Sequence, residues 1–210
     1  MIVDMNASPV TPKAPDQTRQ KLLEAAYAEI HRNGFQAASL AQILAATNLT
    51  KGALYHHFPD KKALGLAVVE EVIQPKLYEL MLVPLATTQH PLAILRAQLS
   101  AKLAEEDPQI LVLGCPLNNL MQEMSPVDET FRLCLNGLFQ TWVTALATAL
   151  ERGQASGEVA WELDPQETAF FIVSALEGCI GMSKNTQSLS AFRGCLRQLL
   201  RYLDTLEVPT

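Results

Sequence analysis

From about residue 17 the chain alternates apolar and polar positions with a helical period. Leu22, Ala26 and Ile30 recur every fourth residue with Leu23 and Tyr27 alongside, while Arg19, Lys21, Glu24 and Arg32 fall mainly on the other side. This stripe predicts an amphipathic helix closed by Asn33-Gly34, two residue types that tolerate the left-handed cap. Ser39-Leu40-Ala41-Gln42 has the form of a capping box and opens a second helix that runs only to about Ala46. After Thr47-Asn48-Leu49, Thr50 can cap a third short helix, Lys51 to Phe58. Pro59-Asp60 breaks it, and Asp60 can cap the next helix from Lys61 onward.

The later helices are longer: about 61–83, 90–106, a short one from Pro116 to Met124, Pro126 to Arg152, about 165–184, and 188–206. Ser125-Pro126 and Asp164-Pro165 each place a cap before a proline at the first helical position, with Glu167 three residues after Asp164. Residues 1–16, with Pro9, Pro12 and Pro15 among polar residues, read as a flexible arm. No strand alternation and no internal repeat is visible. The expected fold is all-α: a three-helix N-terminal domain over residues 17–64, then a helical body over 65–210.

Composition agrees, since 49% apolar residues with only 6% aromatics suits stacked helices better than a sheet. The net charge of −6 argues against a polyanionic partner until the chain is divided. Residues 1–64 carry seven Lys/Arg and five Asp/Glu; the remainder carries nine and seventeen, so a basic module precedes an acidic body. Cys115, Cys134, Cys179 and Cys195 form no C-x-x-C pair and no zinc spacing. No secretory signal and no apolar run of membrane-spanning length is present, so a cytoplasmic protein with free thiols, no metal and no cofactor is expected.

Two short helices joined by a three-residue turn have the shape of a helix-turn-helix. At 100° per residue Leu54 and Phe58 share a face that should pack on Ile43, Leu40 and Ile30. The opposite face presents Gly52, Tyr55 and His56 with Lys51 at its edge. Gly52 is costly inside a helix, so a close approach is expected there. By pattern alone an ordinary helical hairpin remains an equal alternative.

A more specific signal is the succession Thr18-Arg19-Gln20-Lys21-Leu22-Leu23-Glu24-Ala25-Ala26, Asn33-Gly34-Phe35, Ser39-Leu40, and Leu49-Thr50-Lys51-Gly52-Ala53-Leu54-Tyr55-His56-His57-Phe58-Pro59-Asp60-Lys61. It resembles the N-terminal domain of the TetR family of transcriptional regulators. Two positions depart from the usual pattern: Asn48 stands where Gly is common in the turn, and Leu44 where a small residue is usual. Asn tolerates positive φ, so the turn should be kept.

The resemblance implies a homodimeric repressor that binds a palindromic double-stranded operator and is released by a small-molecule inducer. It places Ser39, Thr50, Lys51, Gly52, Tyr55, His56 and Lys61 at the DNA, with Lys51, Gly52 and His56 nearest the bases. Lys61, at a helix start, and Tyr55 suit phosphate. It also implies a dimer interface in the last two helices, about 165–184 and 188–206, whose apolar faces (Phe170, Phe171, Val173, Leu176, Cys179 and Ile180; Leu196, Leu199, Leu200 and Leu203) read by themselves mainly as core.

Cys115, Asn118, Met121, Gln122, Phe139, Trp142 and Glu177 are the candidate ligand-binding residues of the body, against the alternative that each is core. Gly114-Cys115-Pro116 sets a thiol at a helix start, where the dipole lowers its pKa. The segment resembles a subgroup that senses electrophiles or oxidants through a cysteine, with a late lysine for which Lys184 stands here. A buried, inert Cys115 is the preferred alternative.

An all-helical enzyme is disfavoured, because no Ser/His/Asp set, carboxylate pair or metal cluster stands at informative spacing and His31, His56, His57 and His90 all lie in the first half. An interaction protein with a vestigial DNA motif is disfavoured by the intact Lys51, Tyr55 and Lys61. Activation in place of repression stays open.

Overall fold

A computed structural model describes residues 14–104 and 109–208. Helix α1 spans Ala14–Asn33, α2 Leu40–Thr47 and α3 Lys51–His57. The expected arm lies outside the described residues up to residue 13, and its last three residues are already helical. A long rod, α4, occupies residues 61–85. Then follow α5 Pro91–Ala104, α6 Gln109–Leu113, α7 Pro116–Met124, α8 Glu129–Ser156, α9 Pro165–Thr186 and α10 Leu189–Asp204. No strand forms among the described residues, only an isolated bridge between Val159 and Glu207.

The rod is not uniformly α-helical. Wide π-turns occupy Val69–Ile73 and Tyr78–Leu82, where Gln74 N–H donates to Val69 O and Val83 N–H to Tyr78 O. Each is followed within two residues by a proline, Pro75 or Pro84. A proline supplies no N–H and its ring crowds the carbonyl four residues back, so the preceding turn opens.

Local caps explain most boundaries. Asp60 Oδ1 accepts from Ala63 N–H at 2.7 Å, and Asp164 Oδ1 from Glu167 N–H at 2.9 Å. The start of α8 corrects the expectation: Asp128, not Ser125, is its cap, accepting from Thr130 and Phe131 N–H at 2.9 and 3.1 Å. Ser125 and Pro126 instead belong to the turn that closes α7, since Val127 and Asp128 N–H both return to Met124 O.

The buried apolar residues form two clusters. One joins α5, the second half of α8, α9 and α10 around Leu95, Leu146, Leu150, Val173 and Leu196. The other starts from Leu22, Ala26, Ile43, Leu54 and Phe58 and continues through Val68 and Val72 of α4 to Leu117 and Leu120 of α7 and Phe131 and Leu135 of α8. The apolar core therefore does not divide at residue 64. Phe35 fills the seam: its ring lies 4.6 Å from that of Phe131, and a Cβ on Gly65 would come within 2.4 Å of it.

The expectation of free thiols fails for two of the four cysteines. Cys179 of α9 and Cys195 of α10 form a disulfide with a Cα–Cα distance of 5.6 Å, because the two helices fold back on each other. Helix α8 is long and apolar enough, by length and mean hydropathy of 1.3, to cross a membrane. Its inward stripe, from Phe131 through Leu138 and Val143 to Leu150, is spent on the cores of the body.

Candidate nucleic-acid interface and body cavity

The α2–turn–α3 unit is held by bonds that leave one face unused. Ser39 Oγ accepts from Gln42 N–H at 3.4 Å, but the reciprocal arm of the expected capping box comes from elsewhere. Glu29 of α1, not Gln42, accepts from Ser39 N–H, at 3.0 Å. Asn48 takes the left-handed conformation at φ 56°, as the turn requires, and Thr50 Oγ1 caps α3 by accepting from Ala53 N–H at 3.2 Å. Leu54 and Phe58 are buried in one cluster with Ile43 and Ile30. Arg19 fastens the far end of α3: it donates to His57 O at 3.3 Å, lies 4.4 Å over the Phe58 ring and pairs with Glu71 of α4.

Lys51, Gly52, Tyr55 and His56 project outward, and Tyr55 is 50% exposed. A Cβ on Gly52 would meet only Thr50 Oγ1, at 3.8 Å. Among the described residues no packing demands a glycine there. Lys61 differs from the other candidates, since its Nζ donates to Gln36 O at 3.0 Å and sits 5.0 Å from the Phe35 ring centroid. Ser39 and Thr50 likewise use their hydroxyls as caps.

The loop between α1 and α2 is gripped by the body. Both oxygens of Glu123, on α7, accept backbone N–H groups at 2.8 Å, one from Phe35 and one from Gln36. Gly34 makes room at φ 80°, where a Cβ would fall 2.9 Å from Glu123 Oε2. Beside it, His31 Nε2 lies 2.9 Å from Gly114 O, and burial holds the His31 pKa below the usual histidine value. Lys62 of α4 reaches Asp128 at 2.7 Å, and that bond holds the Asp128 carboxyl below the usual aspartate value.

In the body, Asn118, Met121, Gln122, Phe139, Trp142 and Glu177 come together with Leu117 and Ser174 around a cavity of about 280 Å³. Cys115 lines a neighbouring cavity of about 220 Å³ that shares Leu117, Trp142 and Glu177 with the first. The helix-start dipole does not dominate at Cys115. Burial and the adjacent Glu177 carboxyl push its thiol well up, outweighing the favourable N–H groups of Leu117 and Asn118. Burial also pushes the Glu177 carboxyl up. Lys184 Nζ is bound to Asn119 Oδ1 at 3.3 Å.

On the outer face of α9 and α10, Phe170, Phe171 and Met182 are exposed while Val173, Leu176, Ile180, Leu196, Leu199 and Leu203 are buried. Phe171 and Tyr202 meet edge to face at 4.7 Å beside a groove of about 400 Å³. Glu29, Glu123, Arg19 and Asp128 were not singled out from the sequence. Only Asp128 carried a local signal, an acid three residues before Phe131 at a helix start.

Two family profiles match the chain: "Bacterial regulatory proteins, tetR family" over residues 22–68, and "Tetracyclin repressor-like, C-terminal domain" over residues 91–199. The transcriptional regulator AcuR of Cereibacter sphaeroides is 32% identical over 176 residues, 81% of this chain and 79% of that one. The HTH-type transcriptional repressor DhaR of a Mycobacterium strain is 26% identical over 177 residues, 83% of this chain and 87% of that one. A solved TetR transcriptional regulator from Chloroflexus aurantiacus superposes with a TM-score of 0.80 at 27% identity, covering 92% of this chain and 97% of that one.

Proposed function

The chain belongs to the TetR family and is a DNA-binding transcriptional regulator, not an enzyme, and from that premise we propose that it is a cytoplasmic repressor acting as a homodimer on a palindromic operator and released by a small molecule held in the body. The outward face of α3 carries the reading. Lys51, Gly52 and His56 approach base edges in the major groove, with Gly52 letting the helix lie close because, among the described residues, only Thr50 Oγ1 borders that space. Tyr55, Thr50, Ser39 and Lys61 serve the phosphates, Lys61 by exchanging the Gln36 carbonyl for a phosphate oxygen.

Dimerisation through α9 and α10 would cover Phe170, Phe171 and Met182 and set two α3 helices in successive major grooves. Repression is favoured by the similarity to the repressor DhaR. The inducer binds reversibly in this reading. A thiol whose pKa is driven up, beside a lysine engaged with Asn119, supplies little thiolate for attack on an electrophile. Its occupation reaches the DNA end through α7, where Glu123 holds the Phe35-Gln36 loop just ahead of α2.

Fluorescence anisotropy on the DNA upstream of the chain's own gene tests the proposal. Saturable binding that weakens steeply with salt is expected. Failure to bind any duplex from that region would overturn it.

A further inference from the structure

Among the described residues, the buried side-chain oxygens without a hydrogen-bond partner are Gln98 Oε1 and Glu177 Oε2. They stand on either side of one wall. Gln98 borders a small cleft with Met81, Lys102, Trp142 and Leu176, and Glu177 borders the 220 Å³ cavity with those same four residues. Glu177 already receives a hydrogen bond from the Cys115 thiol, so the carboxyl keeps one spare acceptor beside a largely apolar space.

We propose that this cavity binds a small uncharged molecule with an apolar body and one O–H or N–H donor, the donor directed to Glu177 Oε2 and the body laid against Trp142 and Leu176. The inference rests on the ligand-responsive reading and names the chemical class of that ligand. A buried acceptor left without a donor forfeits its hydration, and a donor-bearing ligand restores the missing bond. A pure hydrocarbon would fill the space and leave Oε2 unmet. A carboxylate would set acceptor against acceptor at Oε2, although the Lys76 and Lys102 ammoniums share the lining. An organic cation would share the cavity with the Lys76 and Lys102 ammoniums, the second of which already acts on Glu177.

The chain has two tryptophans, and Trp161 is exposed, so Trp161→Phe in the full chain leaves Trp142 as the reporter. This protein is titrated with benzyl alcohol, toluene, benzoate and benzylammonium while Trp142 fluorescence is followed. Benzyl alcohol is expected to bind about tenfold more tightly than toluene, the worth of one recovered hydrogen bond, and more tightly than either ion. Glu177→Leu should abolish that preference. Glu177→Gln, which keeps an acceptor oxygen in the same shape, should retain most of it and controls for loss of fold.

Equal binding of toluene and benzyl alcohol, or tightest binding of benzoate or benzylammonium, overturns the proposed class while leaving a ligand-binding body intact. Absence of binding by all four overturns the site. If benzyl alcohol binds as expected but operator affinity does not change at saturation, the site stands and the ligand-responsive reading falls.

Discussion

The outward face of α3 and the cavity beneath Trp142 are opposites in how they handle polar groups. At α3 the turn and both helix ends are fastened by Asn48, Thr50 and Arg19, and the exposed Lys51, Tyr55 and His56 stand on that frame. In the body the frame is unfinished: Glu177 and Gln98 keep buried oxygens unpaired, and α4 beside them is interrupted by two π-turns. The contrast separates two kinds of binding. A surface that must read a rigid duplex is preorganised and lacks only its partner. In the proposed reading the cavity answers to a ligand, and its deficit is what the ligand removes, the differential interaction any population shift requires.

The largest expected effect breaks the comparison at the DNA end. Gly52→Leu should weaken operator binding by about 100-fold, roughly 2.7 kcal/mol, while thermal unfolding shows the fold unharmed and the helix favoured by about 0.5–1 kcal/mol. A variant that loses stability in step with affinity would mean that Gly52 serves packing. Reduction of Cys179–Cys195 attacks the body instead. Opening a loop of 16 residues should cost about 3 kcal/mol in the chain-entropy account. Dithiothreitol should therefore lower Tm in the parent and not in a Cys179→Ala, Cys195→Ala double variant.

Between the two regions, Glu123→Ala removes the grip on the Phe35-Gln36 loop. Its two bonds, partly exposed, are worth about 1–2 kcal/mol together. Hydrogen exchange at the Phe35 and Gln36 amides should speed up by about tenfold, with amides in α9 unchanged. The smallest effect sharpens the idea of a deficit. Because the folded Glu177 carboxyl has a raised pKa, the folded state keeps a proton that the unfolded chain releases, and the associated stability is lost as pH rises. Glu177→Gln does not titrate, so it should be more stable than the parent by about 1 kcal/mol at pH 8. The gap should close toward pH 4, and denaturant titrations at the two pH values measure it.

What the sequence disclosed followed the range of the interactions involved. Thr50, Asn48, Asp60 and Asp164 act within three residues, so their roles could be read from neighbours alone. The stripe of Leu22, Ala26 and Ile30 is equally local and fixes which face of α1 is buried. The failures are long-range. Glu29 displaced Gln42 as the partner of Ser39 N–H, and Glu123 reaches Phe35 across 88 residues. The Cys179–Cys195 bond depends on how two helices are set side by side, which spacing does not encode. For Cys115 the favourable helix-start N–H groups of Leu117 and Asn118 have a small effect. The depth of the site and the neighbour Glu177, both tertiary facts, decided the sign.

One consequence follows from the cluster that runs unbroken from Leu22 to Leu135. A chain cut after residue 64 would split this cluster, leaving Leu54, Phe58 and Leu64 without the share of it that Val68, Leu120 and Phe131 supply. Head and body should then melt in a single cooperative transition. A compound bound far from α3 will protect α3 from heat as fully as it protects its own surroundings. Calorimetry on the whole chain can thus detect ligands without any DNA present.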